Sequence, residues 1–276
     1  MARPAPVAGK LWTPTPRRPP QPGASDGGPT PGAAGVVVRN ADGTIGELPP
    51  AVQAALARYT PALPLYGGGN TRFQPVYVGD VADAATRQRL VERVASTWGG
   101  LDVLINNAGV GAVGPFAEAT EQRLRQVMEV NFFAPAELTR VLLPWLRRGD
   151  RPLVVNVGSI LSRVAMPKKS EYCASKFALR GWNHALQAEL RPEGIQVLLV
   201  GPNTTRSEFF DRLLDQHGPV AKNPWSTPPE TVARRLLRAA RRRNSQELML
   251  TFSGRALILL DFCCPALLRH LLARWG

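Results

Sequence analysis

Cysteine is scarce in this sequence: only three occur among 276 residues, and two of them, Cys263 and Cys264, are adjacent. This spacing fits neither a C-x-x-C zinc or redox site nor a disulfide framework. We therefore expect reduced thiols, no metal site and a cytoplasmic location. The amino-terminal residues also lack the central apolar region of a secretory signal, so none is predicted.

Long hydrophobic runs are absent too. No window of about 18 uncharged apolar residues exists, although 44% of the residues are apolar. The sequence therefore predicts one sizeable core and no transmembrane helix. The most apolar stretch, residues 256–275, is interrupted by charges and by Pro265, which should divide it into two short helices. Two interpretations of this stretch stay open: packing on the domain or in a homo-oligomer interface, and peripheral contact that would make the protein membrane-associated.

Acidic side chains are outnumbered, because 34 Lys and Arg face 21 Asp and Glu, for a net charge of +13. The densest basic cluster, residues 234–243, falls in a predicted helix, where such a cluster is typical of a solvated face. No zinc-finger spacing or aromatic-basic RNA motif accompanies it, so we expect no specific nucleic-acid partner. Binding to nucleic acid or to an anionic membrane through charge alone is the alternative.

Composition divides the chain into three parts. Residues 1–35 are dominated by Pro, Gly, Ala and Arg without a hydrophobic period, which predicts a disordered arm. Residues 36–253 carry the strand and helix patterns of a single domain. Residues 254–276 form an apolar helical tail.

Apolar strands and amphipathic helices alternate along the domain. Strands are expected at residues 35–39, 73–78, 101–106, 153–158, 195–200 and 248–252. Helices are expected at residues 49–57, 84–98, 120–146, 172–190 and 229–242. Strands separated by helices imply right-handed crossovers, and hence an α/β fold with a doubly wound, Rossmann-like parallel sheet. Ligands of such folds bind at the carboxyl ends of the strands.

Tyr172 and Lys176 lie four residues apart in the predicted helix 172–190 and therefore share one face of it. A phenol has a pKa of about 10 and keeps its proton at neutral pH. A nearby ammonium group favours the phenolate, so we expect Lys176 to lower the pKa of Tyr172 and make it a general acid/base.

Several motifs accompany this pair in a fixed order. Asn106-Asn107-Ala108-Gly109 follows one apolar strand, Asn131 lies in the next helix, and Ser159 ends the following strand. The segment Tyr-Cys-Ala-Ser-Lys-Phe-Ala-Leu occupies residues 172–179. In order and spacing these motifs resemble the active-site residues of the short-chain dehydrogenase/reductase family. The resemblance covers roughly residues 36–252 and implies the same Rossmann-like fold.

The resemblance implies an NAD(P)-dependent oxidoreductase that transfers a hydride between the nicotinamide and an alcohol or carbonyl substrate. Tyr172 would exchange a proton with the substrate oxygen, and Ser159 would polarise that oxygen. Lys176 would hold the nicotinamide ribose, and Asn131 would hold the water that relays protons to it. The alternative interpretation is structural: Asn107 and Asn131 as polar bridges between strands, and Ser159 as a cap.

The resemblance also assigns cofactor contacts. They are expected at Arg39, Asp80, Val81, Asn107, Ala108, Gly109, Tyr172, Lys176, Pro202, Thr205 and Ser207. Asn203 stands where the family has the glycine of Pro-Gly, and asparagine tolerates unusual backbone angles better than most residues. Ser207 stands where a threonine usually bonds the nicotinamide amide, and its hydroxyl can serve.

The family's intact glycine-rich dinucleotide motif is missing from the sequence. Such glycines let backbone N–H groups approach the pyrophosphate. In one alignment, residues 36–39 are the family's second strand and the first βα unit is lacking; in the other, residues 38–46 are a degenerate glycine turn. The first alignment is preferred, places Arg39 near an adenosine 2′-phosphate and so favours NADP. The missing motif leaves open a non-catalytic homologue, or a truncated reading frame, with impaired cofactor binding.

The expected partner is a small-molecule alcohol or carbonyl substrate. Residues 208–226 contain Phe209, Phe210, Leu213 and Leu214 and follow the predicted cofactor contacts. We expect this segment to close over the substrate, which its apolar side chains predict to be hydrophobic.

Overall fold

The computed structural model describes residues 33–38, 72–77, 83–205, 209, 213–214, 226–242 and 244–275. These residues all belong to one unit, Pro31–Gly276. The predicted helix 49–57 and nearly all of the predicted arm 1–35 lie outside them. The first described strand begins at Ala33, so for the last three residues of that arm the prediction of disorder was wrong.

Four parallel strands lie side by side and make up most of the sheet, with the last of them at one edge. They are β3 (Val103–Asn106), β4 (Leu153–Val157), β5 (Gln196–Gly201) and β6 (Gln246–Met249). Within the register, Leu104 lies opposite Val154, which lies opposite Val197. The apolar residues of β4 and β5 are buried along most of their length, as expected of parallel strands covered on both faces.

Helices cover both faces of this sheet. They are α1 (Ala84–Trp98), α2 (Glu121–Met128), α3 (Ala134–Leu146), α4 (Ser170–Leu190) and α5 (Pro229–Arg241). On one face, leucines of α1, α3 and α4 pack with Leu104 and Val154. On the other face, Ala239 of α5 packs with Leu153 and Val155. Because neighbouring strand residues point to opposite clusters, the prediction of a doubly wound, Rossmann-like sheet is confirmed.

The first two strands differ from the prediction. β1 (Ala33–Val38) lies between β2 (Arg72–Tyr77) and β3, and it is antiparallel to both. The second strand of a doubly wound sheet runs parallel to its neighbours, so the assignment of residues 36–39 to that strand was wrong. An apolar run of β-branched residues pairs through its backbone in either direction, so its pattern carries no information on strand direction.

The long helix predicted at residues 120–146 contains an irregular turn. Thr120 caps α2, because its Oγ1 accepts a hydrogen bond from the Arg123 N–H at 3.1 Å. A π-helical turn, Glu129–Phe133, then joins α2 to α3. A π-helical turn inserts one extra residue into a helix and changes the direction of the neighbouring side chains. Such turns are frequent at functional sites.

The end of the domain is displaced from its predicted position. β6 ends at Met249, and Phe252, predicted to end that strand, begins a helix instead. Thr251 supplies the reason, since its side chain accepts a hydrogen bond from the Gly254 N–H at 3.2 Å and so caps the helix.

Two helices form the carboxyl-terminal segment, α6 (Phe252–Cys263) and α7 (Pro265–Trp275), and the break at Pro265 confirms the prediction. Leu257 and Ile258 of α6 pack on the domain, so the predicted boundary at residue 254 falls inside a packed helix. Among the described helices, none taken singly is long and apolar enough to cross a membrane; α6 and α7, bent by 118°, reach that length and composition only together.

Candidate active site

A cavity of about 330 Å³ opens at the carboxyl ends of β3, β4 and β5. Loops that follow these strands form its walls together with the start of α4 and with Leu257 of α6. The predicted site residues that line it are Asn107, Gly109, Ser159, Tyr172, Lys176, Pro202 and Thr205. The fold therefore brings together residues from four separate motifs, because the carboxyl ends of parallel strands meet at one edge of the sheet.

Tyr172 and Ser159 form the polar centre of the cavity. Ser159 follows β4 directly, and its Oγ accepts a hydrogen bond from the Leu161 N–H at 3.1 Å, which caps the short turn Ile160–Ser162. Tyr172 lines the same cavity, and the nearby Ser159 side chain lowers the pKa of its phenol. Ser159 is thus both a cap and a group of the cavity, so the two interpretations of this residue are compatible.

Lys176 lies one turn after Tyr172 on α4 and is only 4% exposed. Its Nζ donates a hydrogen bond to the Val157 carbonyl oxygen at 3.0 Å and lies 5.7 Å from the centre of the Tyr172 ring. The lysine therefore links the active-site helix to the end of β4.

Burial dominates the protonation of this pair. Burial raises the pKa of Tyr172 to about 12, and the nearby Ser159 side chain acts in the opposite direction. Burial also lowers the pKa of Lys176 to about 8. The expectation that Lys176 lowers the pKa of Tyr172 was therefore wrong: removal from water disfavours the charged form of each group, and this effect dominates.

Asn131 is buried in the π-helical turn between α2 and α3. Its Oδ1 accepts a hydrogen bond from the Val110 N–H at 2.9 Å, and its Nδ2 donates to the Val110 carbonyl at 2.9 Å. The same Nδ2 donates to the Ser175 Oγ at 2.9 Å. Asn131 thus ties the loop after β3 to α4, one residue from Lys176.

The two adjacent asparagines after β3 have different environments. Asn107 is exposed and lines the cavity. Asn106 is buried, and its Nδ2 donates to the Asn156 Oδ1 at 2.8 Å and to the Thr139 Oγ1 at 3.1 Å. Asn156 donates in turn to the Asn183 Oδ1 at 2.8 Å. The polar bridge between strands is therefore made by Asn106, and its assignment to Asn107 was wrong.

Two glycines keep the cavity open. A β-carbon at Gly109 would lie 3.4 Å from the Asn131 Oδ1 and 3.6 Å from the Lys176 Nζ. At Gly111 it would lie 2.8 Å from the Phe209 ring, which is closer than real contacts allow. Any side chain here would fill space beside the catalytic candidates, so glycine suits both positions.

Part of the segment predicted to close over the substrate lies against this cavity. Phe209 and Leu213 line it, and the rings of Phe209 and Tyr172 meet edge to face with their centres 5.6 Å apart. The Leu214 N–H donates to the Gly111 carbonyl oxygen at 2.9 Å. Most other residues of 208–226 lie outside the described part of the chain.

The loop after β5 makes its turn at Asn203. The Asn203 Oδ1 accepts a hydrogen bond from the Thr204 N–H at 2.9 Å, and the Thr205 Oγ1 donates to the Asn203 carbonyl oxygen at 3.1 Å. Asn203 is not among the described non-glycine residues with positive φ. Asn203 therefore does not adopt the unusual backbone angle that its position suggested, and side-chain hydrogen bonds stabilise the turn instead.

A buried ion pair that the sequence analysis missed lies beside Tyr172. The side chains of Arg123 on α2 and Glu171 on α4 are 3% and 2% exposed, and Nη2 lies 2.6 Å from Oε1. Ser170 donates to the other carboxylate oxygen at 2.8 Å. Burial raises the pKa of Glu171, but its hydrogen bonds outweigh that effect, so the pKa lies below its usual value. The pair fixes the start of α4, which carries Tyr172.

Of the remaining predicted cofactor contacts, only Ala108 belongs to the residues that the structure describes. Ala108 lies between Asn107 and Gly109, in the loop that follows the carboxyl end of β3. Arg39, Asp80, Val81 and Ser207 lie outside the described residues, and their contacts with a cofactor stay predictions.

The sheet and the cavity together define a Rossmann-like protein whose ligand site lies at the carboxyl edge of its strands. A family model described as short chain dehydrogenase matches residues 69–218, which is more than half of the chain. The chain therefore belongs to the short-chain dehydrogenase/reductase family of oxidoreductases, and the predicted family is confirmed.

Curated relatives match the chain in part. The 3-ketodihydrosphingosine reductase of Bacteroides thetaiotaomicron is 37% identical over 134 residues, covering 49% of this chain and 50% of that protein. Dehydrogenase/reductase SDR family member 7B of Rattus norvegicus is 33% identical over 134 residues, covering 49% of this chain and 41% of that protein. The chain thus spans half or less of the length of these two relatives.

Solved structures of the family share the fold. A short-chain dehydrogenase from Streptomyces avermitilis has a TM-score of 0.57 at 29% identity, covering 71% of this chain and 75% of that one. A short chain dehydrogenase from Burkholderia cenocepacia, in complex with NADP, has a TM-score of 0.60 at 25% identity, covering 70% and 76%.

Proposed function

We propose that the chain is an NAD(P)-dependent oxidoreductase that interconverts a hydrophobic carbonyl compound and its alcohol. The observation that supports this most directly is that Tyr172 and Ser159 line one cavity together with Lys176, which is buried one helical turn from Tyr172. The nicotinamide, when bound, supplies or accepts the hydride.

The described side of the cleft fits such a cofactor. Gly109 leaves space beside Asn131 and Lys176, and the exposed Asn107 and the Thr205 hydroxyl offer hydrogen-bonding groups. With Ala108 and Pro202, these residues would hold the nicotinamide half, and Ser207 would bond its amide. The other half would meet Asp80, Val81 and Arg39. The preference for NADP that was expected from Arg39 is lost with the assignment of residues 36–39 to the second strand, so NADP is favoured here only because the Burkholderia relative was solved with it.

Tyr172 would donate the proton during reduction. Its pKa of about 12 keeps the phenol protonated at neutral pH, so its O–H can meet a carbonyl oxygen in the cavity. Ser159 would hydrogen-bond the same oxygen and polarise it. Lys176, with a pKa of about 8, would release and recover a proton near neutral pH. Asn131 would position the water that connects Lys176 to solvent.

The walls of the cavity favour a hydrophobic substrate. Apolar side chains on several sides surround the Tyr172 and Ser159 hydroxyls, namely Ile160, Leu161, Met166, Phe209, Leu213 and Leu257. An apolar lining with few polar groups binds apolar ligands and orients them through those groups. The Bacteroides relative, named as a reductase of a keto compound, agrees with a ketone substrate.

A non-catalytic homologue is the second candidate, and the missing glycine motif favours it. Such a protein would keep the cavity but bind the dinucleotide too weakly for turnover. For either function we propose a cytoplasmic protein. Its molecular mass in solution would show whether it forms homo-oligomers.

The test is reduction of a panel of ketones of graded polarity with NADPH or NADH. We expect turnover with apolar ketones, and a Ser159→Ala variant should lose roughly 10²–10³-fold in kcat. Ser96→Ala, at an exposed position of α1 outside the cavity lining, is the matched control and should keep its activity. No detectable binding of NADPH or NADH, together with no turnover on any ketone, would support the non-catalytic homologue. Preference for small polar ketones would refute the hydrophobic substrate.

A further inference from the structure

Helix α6 carries apolar side chains on its outward face as well as on its inward face. Leu257 and Ile258 pack on the domain. Phe252, Leu259 and Phe262 are 86%, 62% and 85% exposed. Because seven and ten residues separate the last two from Phe252, all three lie along one side of the helix. Helix α6 is therefore covered on one side only.

Helix α7 continues this pattern. Leu268 is 3% exposed and holds the helix to the domain, whereas Leu267 and Leu271, one turn apart, are 50% and 41% exposed. We call the five exposed side chains, Phe252, Leu259, Phe262, Leu267 and Leu271, the apolar stripe. Several large apolar side chains exposed on neighbouring helices usually mark a contact with another molecule or with lipid.

The charge of the same two helices is positive. Arg255, Arg269 and Arg274 are exposed, and Asp261 is the only acidic residue between positions 252 and 275. Exposed arginines beside apolar side chains are the combination that binds anionic lipid surfaces. A second copy of the chain would instead bring together two surfaces that both carry a positive charge, which is unfavourable.

The lengths of the helices fit an orientation in the membrane plane. Helix α6 has 12 residues and α7 has 11, so they are about 18 and 16 Å long. They are bent by 118° at Cys264. Interfacial helices lie flat with their apolar side about 5–10 Å deep, which short helices anchored to a domain can do.

We propose that α6 and α7 dock on an anionic membrane surface, with the apolar stripe at the boundary of headgroups and acyl chains and the three arginines among the lipid phosphates. This contact does not depend on the proposed catalytic function, since it uses the outward side of α6 and not the cavity.

Flotation of the full chain with lipid vesicles tests the proposal. We expect binding to phosphatidylcholine vesicles that contain phosphatidylserine, and weaker binding without it. Leu259→Ser with Phe262→Ser should lower the partition coefficient at least about 10-fold. Arg269→Ala with Arg274→Ala should lower the partition coefficient roughly five-fold per arginine. Added salt should also lower it, because salt screens the attraction between the arginines and the lipid phosphates. Phe116→Ser is the matched control, because Phe116 is 69% exposed on a different element and should not affect binding.

The cysteines provide a second, independent readout. Cys263 and Cys264 are exposed at the bend, whereas Cys173 is buried. An environment-sensitive thiol dye should therefore label the bend, and its emission should shift to the blue when anionic vesicles are added. Cys263→Ser with Cys264→Ser should abolish that signal.

Two results would overturn the proposal. One is wild-type protein that stays in solution with both kinds of vesicle. The other is vesicle binding that the Leu259→Ser, Phe262→Ser variant retains in full. If that variant instead changes the molecular mass from dimer to monomer and no vesicle binding occurs, the stripe belongs to a second copy of the chain.

Discussion

The two halves of the cofactor cleft differ in how the chain specifies them. In the half that follows β3, β4 and β5, the side chains of Asn131, Ser159 and Lys176 each have a defined hydrogen-bond partner, and the ring of Tyr172 meets Phe209. In the other half, the family's glycine motif is missing from the sequence, and β1 runs antiparallel to its neighbours. The difference teaches that proton-transfer geometry and dinucleotide binding are separable properties of this fold, since they depend on different strands.

Removal of the Tyr172 hydroxyl should have the largest effect. We expect Tyr172→Phe to lower kcat by roughly 10²–10⁴-fold, because positioned proton transfer contributes about that much. Folding and cofactor affinity should stay nearly unchanged, since the phenyl ring keeps its contact with Phe209. Steady-state rates, with thermal unfolding as a control, check this. Retention of more than about a tenth of the wild-type rate would remove Tyr172 from the reaction.

The buried pair Arg123–Glu171 tests how firmly the catalytic half is held. Arg123→Met should lower the free energy of unfolding by about 3–5 kcal/mol, because Glu171 would lose its charge partner inside the protein. The control is Arg125→Met, whose partner Glu121 lies on the same helix and whose pair is 75% and 76% exposed. Arg125→Met should lower the free energy of unfolding by at most about 1 kcal/mol. Urea unfolding measures both, and equal losses would show that burial of the first pair has no special role.

The lowered pKa of Lys176 predicts a dependence of stability on pH. Above pH 8 the folded protein has released this proton, whereas the unfolded lysine holds it up to its ordinary pKa of 10.5. The unfolded state binds more protons in this window, so stability should rise with pH. Relative to Lys176→Met, the free energy of unfolding should increase by about 2–3 kcal/mol between pH 8 and 10.

That window ends where Tyr172 begins to act in the opposite direction. Its pKa is raised from 10.0 to about 12, so above pH 10 the folded state keeps a proton that the unfolded state loses. Urea titrations of both proteins across the range give the difference directly. A constant difference would contradict the lowered lysine pKa.

Local patterns predicted most of the fold, and the family resemblance supplied the candidate site residues. Tyr172 and Lys176 are predictable because helical spacing places them on one face, and Ser159 because it ends an apolar strand. The pairing of Arg123 with Glu171 has no local signal, since 48 residues separate them. The burial of one member of the pair was predictable from the sequence. Glu171 lies on the same face of α4 as the buried Ser175 and Leu179, which follow it at positions i+4 and i+8.

Two other features depend on strand pairing and were not predictable from periodicity. The bond between Asn106 and Asn156 requires these residues to be opposite each other in the register of β3 and β4. The direction of β1 requires knowledge of its neighbours, because an apolar strand has the same pattern when reversed.

Turnover over a series of NADPH concentrations, with an apolar ketone in excess, tests the account most directly. Without the glycine motif, the pyrophosphate loses several backbone hydrogen bonds, which should weaken binding by roughly 10²–10⁴-fold. The account predicts turnover that Tyr172→Phe abolishes, with half-saturation well above the micromolar range. Absence of turnover at any NADPH concentration, or half-saturation at low micromolar NADPH in the unmodified chain, would contradict it.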